Sequence, residues 1–170
     1  MMYRILGALL VMVASSAVGF SIAASYRKEI VALFQLIRGL EFMKCELEFR
    51  CPPLPELCCA TAMQVNGPVR RVFQQLAEAL QAQLAEEPYA CMCVALQQVD
   101  NLPEKAGANL RLLGKTLGRF DLQGQLSGIE TVTHLCRRDL DGMQCDEKVR
   151  SRSYRTLGIC AGVALVILFI

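Results

Sequence analysis

Apolar positions along this chain fall into two patterns. At both ends they run unbroken: ILGALLVMVASSAVGFSIAA, residues 5–24, carries no charge, and neither does TLGICAGVALVILFI, residues 156–170. Between these runs they recur every three or four positions, the period of a helix with one buried face. From Arg27 to Arg50 the stripe is Ile30, Leu33, Phe34, Ile37, Leu40, Met43 and Leu47, which predicts one long helix running on from the first apolar run. CPPLPEL, residues 51–57, breaks it, because a residue before proline is pushed from the helical region and proline lacks a donor. Pro55 then sits at the first position of a short helix reaching about Val65.

Asn66-Gly67-Pro68 predicts a turn, and Pro68 opens a helix striped by Val69, Val72, Phe73, Leu76, Ala77, Leu80 and Leu84, ended by Glu87-Pro88. Further helices are expected over Tyr89–Asn101 and Glu104–Leu117. The last starts near Asp121, carries Leu122, Leu126, Ile129, Val132, Cys136, Leu140 and Met143 on one side, and continues into the second apolar run. No segment alternates with period two. The expectation is an all-α protein, an antiparallel bundle of about six helices flanked by N- and C-terminal transmembrane helices. The boundaries are 1–25 for the first span, 26–155 for a cytoplasmic bundle and 156–170 for the second span.

Composition sharpens that picture. With 54% hydrophobic residues, 6% aromatic and a mean hydropathy of +0.34, the chain is too apolar for an ordinary soluble domain and too charged for a wholly embedded one. Residues 5–24 as a helix cover about 30 Å, one bilayer core. Residues 156–170 cover only about 22 Å, a gap that slight thinning and snorkelling of Tyr154 and Arg155 close. Arg27 and Lys28 follow the first run and Lys148, Arg150, Arg152 and Arg155 precede the second, so the positive-inside rule puts residues 26–155 in the cytoplasm. A cleaved signal peptide is the competing reading of the first run, since Ser21-Ile22-Ala23 resembles a cleavage site. Residues 26–155 hold 17 Lys and Arg against 16 Asp and Glu, a balance that gives no reason to expect nucleic acid. The basic cluster from Lys148 to Arg155 reads as a juxtamembrane anchor against the lipid bilayer. Glu41, Glu46 and Glu48 near Lys44 and Arg50 read as a solvated face of i, i+4 pairs.

Candidate chemistry is sparse. Nine cysteines, an odd number that includes Cys58-Cys59 and Cys91-x-Cys93, match neither a disulfide framework nor zinc-knuckle spacing. In a reducing compartment they are free thiols acting as small core residues. Zinc held by Cys91 and Cys93 with another thiol or His134 is the alternative, and no metal site is assigned. His134 reads as a helix-surface residue. The asparagines at 66, 101 and 109 form no glycosylation sequon. LGKTLGRFDLQGQ, residues 113–125, contains the GKT of a phosphate loop, but the required first glycine falls at Asn109 and Leu110, Leu113 and Leu117 mark a helix face with no strand before it. The structural reading is a helix corner. Gly114 and Gly118 on one face admit a close neighbour, or Gly118 ends the helix as its left-handed cap, and Asp121 caps the next helix. Gly114, Leu117, Gly118, Asp121 and Gln125 are the residues singled out, with no catalytic role, no cofactor and no small-molecule substrate.

The hydrophobic opening with its LGA, Pro-Leu-Pro-Glu at 53–56, LGKTLGRFDLQGQ and the closing YRTLGICAGVALVILFI together resemble the stage III sporulation protein AB family of endospore-forming bacteria. The resemblance covers essentially the whole chain. Members are similar to the cytoplasmic helical domains of inner-membrane platform proteins of type II secretion and type IV pilus machines. It implies a non-enzymatic subunit of the transenvelope channel complex between mother cell and forespore, lying in the outer forespore membrane with its domain in the mother-cell cytoplasm. It further implies a secretion-type ATPase and ring-forming membrane subunits as partners. The high cysteine content departs from the family. A membrane-anchored helical sensor or signalling subunit is the alternative, and it predicts a substantial domain on the far side of the membrane. A secreted, disulfide-linked helical protein is a third reading. An enzyme has the least support, because nothing pairs a nucleophile with a base.

Overall fold

The computed structural model describes residues 2–85, 87–118 and 121–143, with side chains from residue 25 onward. Six helices and no strand lie among the described residues. α1 runs unbroken over Met2–Phe49, 48 residues. It is followed by α2 at Leu54–Gln64, α3 at Gly67–Gln81, α4 at Pro88–Gln97, α5 at Glu104–Thr116 and α6 over residues 122–143. The period-3.6 reading of the middle of the chain therefore holds as helix.

Local chemistry accounts for the breaks. Cys51 adopts a left-handed φ of 46° at the end of α1, and Pro52 and Pro53 follow it. Pro53 caps α2 and Leu54 opens it, so Pro55 occupies the second helical position, one later than its sequence suggested. α3 stops at Gln81, short of Leu84 on its expected stripe and of the Glu87-Pro88 end read from sequence. Gln83 turns left-handed, its N–H reaches the Leu80 carbonyl and the Leu84 N–H reaches the Ala79 carbonyl, the paired bonds of a Schellman cap. Leu84 is consequently exposed. α4 begins at Pro88 and ends at Gln97, four residues before the boundary read from sequence, because the chain closes over Val99 and Asn101 takes a positive φ.

Successive helices run antiparallel. The Asn66 N–H donates to Gln35 Oε1, while Gly39 lies against Thr61 and Val65. At one end of α4 Cys91 meets Ala79, and near its other end Arg71 donates to the Asp100 carbonyl. α5 comes back along α4, with Gly114 against Met92. α6 returns along both α5 and α1, shown by Gly128 on Thr116 and by the Glu41–Arg137 and Lys44–Glu130 ion pairs.

The core is a single cluster. Leu33, Leu36, Leu40 and Met43 of α1 meet Phe73 and Leu76 of α3, Met92 of α4, Leu110 and Leu113 of α5 and Ile129 of α6, all essentially without solvent contact. Removing this apolar area from water is what holds the helices together, since several of them are too short to persist alone. Three residues expected on buried stripes are not there: besides Leu84, Phe34 is 51% exposed and Leu122 is 41% exposed. In α1 the buried face centres on Leu33, Leu36 and Leu40, which turns Phe34 outward.

Among the described residues no helix is long and apolar enough to cross a membrane. The span read at residues 5–24 lies in the part of α1 for which only the helical backbone is described, and the span at 156–170 lies outside the described residues.

Candidate functional site

α5 and α6 meet at the corner singled out from the sequence. Leu110, Leu113 and Leu117 are buried, so the GKT segment belongs to a packed helix and not to a phosphate-wrapping loop. Lys115 extends over the Tyr89 ring, 5.7 Å from its centroid, and Thr116 donates to the Leu113 carbonyl. Asn109, where a phosphate loop needs glycine, is a buried helical residue whose amide donates to Asp139 Oδ2 at 3.1 Å and ties α5 to α6.

The two glycines of the corner do different things. Gly114 lies where a Cβ would stand 2.8 Å from both Cβ and Cγ of Met92, so α4 and α5 approach as closely as their backbones allow. Gly118 carries a φ of +74°, and a Cβ there would meet Pro88 Cγ at 2.7 Å. It therefore serves both to reverse the chain after α5 and to admit the start of α4. Asp121 Oδ1 accepts from the Gly124 N–H at 3.0 Å, which satisfies one of the first donors of α6. The Gln125 N–H closes on the Asp121 carbonyl. Gly118, Leu122 and Gln125 then form one wall of a shallow groove of about 240 Å³, with Leu47, Cys51 and Leu54 opposite. Lys148, Arg150, Arg152 and Arg155 lie outside the described residues.

Several side chains that position these elements had no signal in the sequence. Glu29 Oε1 accepts from the Lys105 N–H at 2.7 Å, capping α5 from α1, and Gln35 does the same for the start of α3. A lone Glu or Gln on an exposed helix face reads as solvated until its partner is known. Gly128 was legible in principle: a Cβ there would lie 2.6 Å from Thr116 Cβ. The acidic group of α1 divides. Glu46 and Glu48 make the expected i, i+4 contacts with Arg50 and Lys44, whereas Glu41 and Lys44 reach across to Arg137 and Glu130 on α6.

Among the described residues the shifted groups are an inter-helix ion pair, two buried thiols and the Tyr89 phenol. Its hydrogen bond to Glu130 raises the Lys44 pKa, and the same bond lowers that of Glu130. Burial pushes the Cys58 thiol, ordinarily at 9.0, up to about 12, and does the same to Cys136 with Asp139 assisting. The hydrogen bond with Cys93 raises the Tyr89 phenol. The seven described cysteines are free, with Cys45, Cys51 and Cys59 exposed and Cys58, Cys91 and Cys136 buried. Among the described residues no three His, Cys, Asp or Glu side chains come together as metal ligands, and His134 is exposed on α6.

A family model described as stage III sporulation protein AB matches residues 4–170. Stage III sporulation protein AB of Bacillus subtilis (strain 168) is 26% identical over 170 residues, covering 98% of this chain and 99% of that relative. A solved structure of a stage III sporulation protein AB superposes with a TM-score of 0.62 at 18% identity, over 72% of this chain and 98% of the solved one, a likeness of fold.

Proposed function

We propose, from the premise that the chain belongs to the stage III sporulation protein AB family, that it is a non-enzymatic platform subunit of the transenvelope channel complex between mother cell and forespore. In this reading residues 5–24 and 156–170 hold it in the outer forespore membrane. The helical bundle faces the mother-cell cytoplasm and docks a secretion-type ATPase beside ring-forming membrane subunits.

The observation that carries the reading is the continuity of α1. One helix of 48 residues joins an uncharged run of membrane-spanning length to the most buried residues of the bundle, Leu33, Leu36 and Leu40. A force on the bundle reaches α1 through close packing, which transmits strain because the interior has little room to absorb it. Glu29 and Gln35 stiffen that link where α1 enters the bundle, by capping α5 and α3 from the α1 surface. The arrangement needs no reacting group, and its function is to hold position while another protein supplies the work.

Extraction of the intact chain from membranes of sporulating cells, followed by affinity capture, tests this. The secretion-type ATPase of the complex is expected to co-purify with wild-type protein. Its absence from captured protein that is still fully helical by circular dichroism would remove the docking role.

A further inference from the structure

The backbone of α1 measures how far each part of the bundle stands from the uncharged run at residues 5–24. A helix rises about 1.5 Å per residue, so Glu29, five residues past Ala24, stands about 7.5 Å beyond the end of that run. Glu29 Oε1 accepts from the Lys105 N–H at 2.7 Å, which sets the start of α5 at that height. Helix side chains lean toward their own N-terminus, here toward the run, so the height is an upper bound. α5 then climbs away, since Gly118 just past its far end lies against Leu54, which follows the end of α1. Residues 101–103, which lead into α5, therefore lie lower still. The α2–α3 turn does not come so close: the Asn66 N–H bonds to Gln35, eleven residues past Ala24 and about 16 Å up.

We propose that the α4–α5 connection, residues 98–105, is a second footing of the bundle, seated on zwitterionic phospholipid headgroups; this depends on the reading of residues 5–24 as a membrane span. The headgroup region adds about 5–7.5 Å to each side of the hydrocarbon core, so residues 101–103 reach into it and Lys105 stands at its edge. A helix tilt of about 20°, acting over the roughly 8–10 Å between packed helix axes, moves that height by only about 3 Å. The surface chemistry fits the headgroups and not the acyl chains beneath them. None of the large exposed apolar side chains falls in residues 98–105: Val99 is buried, and Leu102 is half-buried against Gly107. Exposed charges of both signs stand there instead, Lys105 with Arg27 and Lys28 of α1, and Asp100 with Glu104. That near balance matches the phosphate and ammonium of a zwitterionic headgroup better than a purely anionic surface. A bundle held only by α1 is free to tilt about the point where that helix leaves the bilayer. A footing beside the helix resists the tilt, so a displacement applied to the bundle reaches the membrane.

The test places a photo-cross-linking benzoylphenylalanine at one position of the full chain at a time, in nanodiscs of phosphatidylethanolamine and phosphatidylglycerol, and reads the adducts by mass spectrometry. Glu104 is exposed, so its replacement leaves the core intact. Phe20 lies in the uncharged run, and the exposed Phe49 stands about 37 Å beyond it. Lipid adducts are expected from positions 20 and 104 and none from 49, with phosphatidylethanolamine among those from 104. Adducts from 20 without any from 104, in protein whose circular dichroism is unchanged, overturn the footing and leave the span standing. No adduct from 20 overturns both together. An adduct from 104 to a second copy in place of lipid, or to phosphatidylglycerol alone, overturns the proposed occupant. Equal lipid adducts from 104 and 49 would lay the whole bundle on the surface and overturn the footing as well.

Discussion

Gly114 rests directly on Met92, with 2.8 Å between the position a Cβ would take and the Met92 Cβ. The Met92 Cβ is fixed to its own backbone, so no rotamer change relieves the contact. Gly114→Ala should therefore force α4 and α5 apart and cost about 1–3 kcal/mol, read as a lowered midpoint in thermal or urea unfolding. An unchanged midpoint would mean that the helices do not pack this closely.

Two glycines with similar backbone angles should respond differently. Gly67 has a φ of +68° and nothing within 4 Å of its would-be Cβ, whereas Gly118 at +74° has Pro88 at 2.7 Å. Gly67→Ala should cost only the left-handed strain of an L-residue, about 1–2 kcal/mol. Gly118→Ala should cost that plus the overpacking, and should shift the unfolding midpoint further. Equal shifts would contradict the assignment of Gly118 as a point of contact between α4 and the corner.

Asn109→Gly restores the first glycine of the phosphate-loop spacing and so gives the nucleotide reading its best case. Within a packed helix it should lose about 0.3 kcal/mol from backbone freedom, Asn being a poor helix former already, and about 1 kcal/mol or more because Asp139 loses its donor. Calorimetric titration with ATP and magnesium should show no binding in either form. Binding by the variant would mean that the segment can leave the helix.

Thiol reactivity should follow burial. At neutral pH Cys45, Cys51 and Cys59 should react with maleimide in the native protein, and Cys58, Cys91 and Cys136 only after denaturation. The raised Cys58 pKa has a stability consequence with a definite sign. Between 9.0 and about 12 the unfolded chain has released the proton that the native chain keeps, so the native state loses up to about 1.4 kcal/mol per pH unit across that window. Cys58→Ala should flatten the fall in stability above pH 9, and an unaltered alkaline limb would place the titration elsewhere.

Much of the architecture was legible because it rests on periodicity. The stripes through Leu33, Leu40 and Met43, through Val72, Phe73 and Leu76, and through Ile129, Val132 and Cys136 are the buried faces observed. The errors fall where local backbone chemistry outweighs pattern. A Schellman cap at Gln83 ends α3 before Leu84, and the turn at Asn101 shortens α4. At the corner, the glycine spacing suggested a close approach but not which residues approach, since Met92 and Pro88 are distant in sequence. The caps from Glu29 and Gln35 and the Asn109–Asp139 bond are tertiary, and a single polar residue on a helix carries no sign of its partner.

The platform account stands or falls on which side of the membrane the bundle lies. Intact and lysed sporulating cells treated with a membrane-impermeant maleimide report this through Cys45, Cys51 and Cys59, which the fold leaves exposed. The account predicts protection of all three in intact cells and labelling after lysis. Labelling in intact cells would invert the topology and contradict the account.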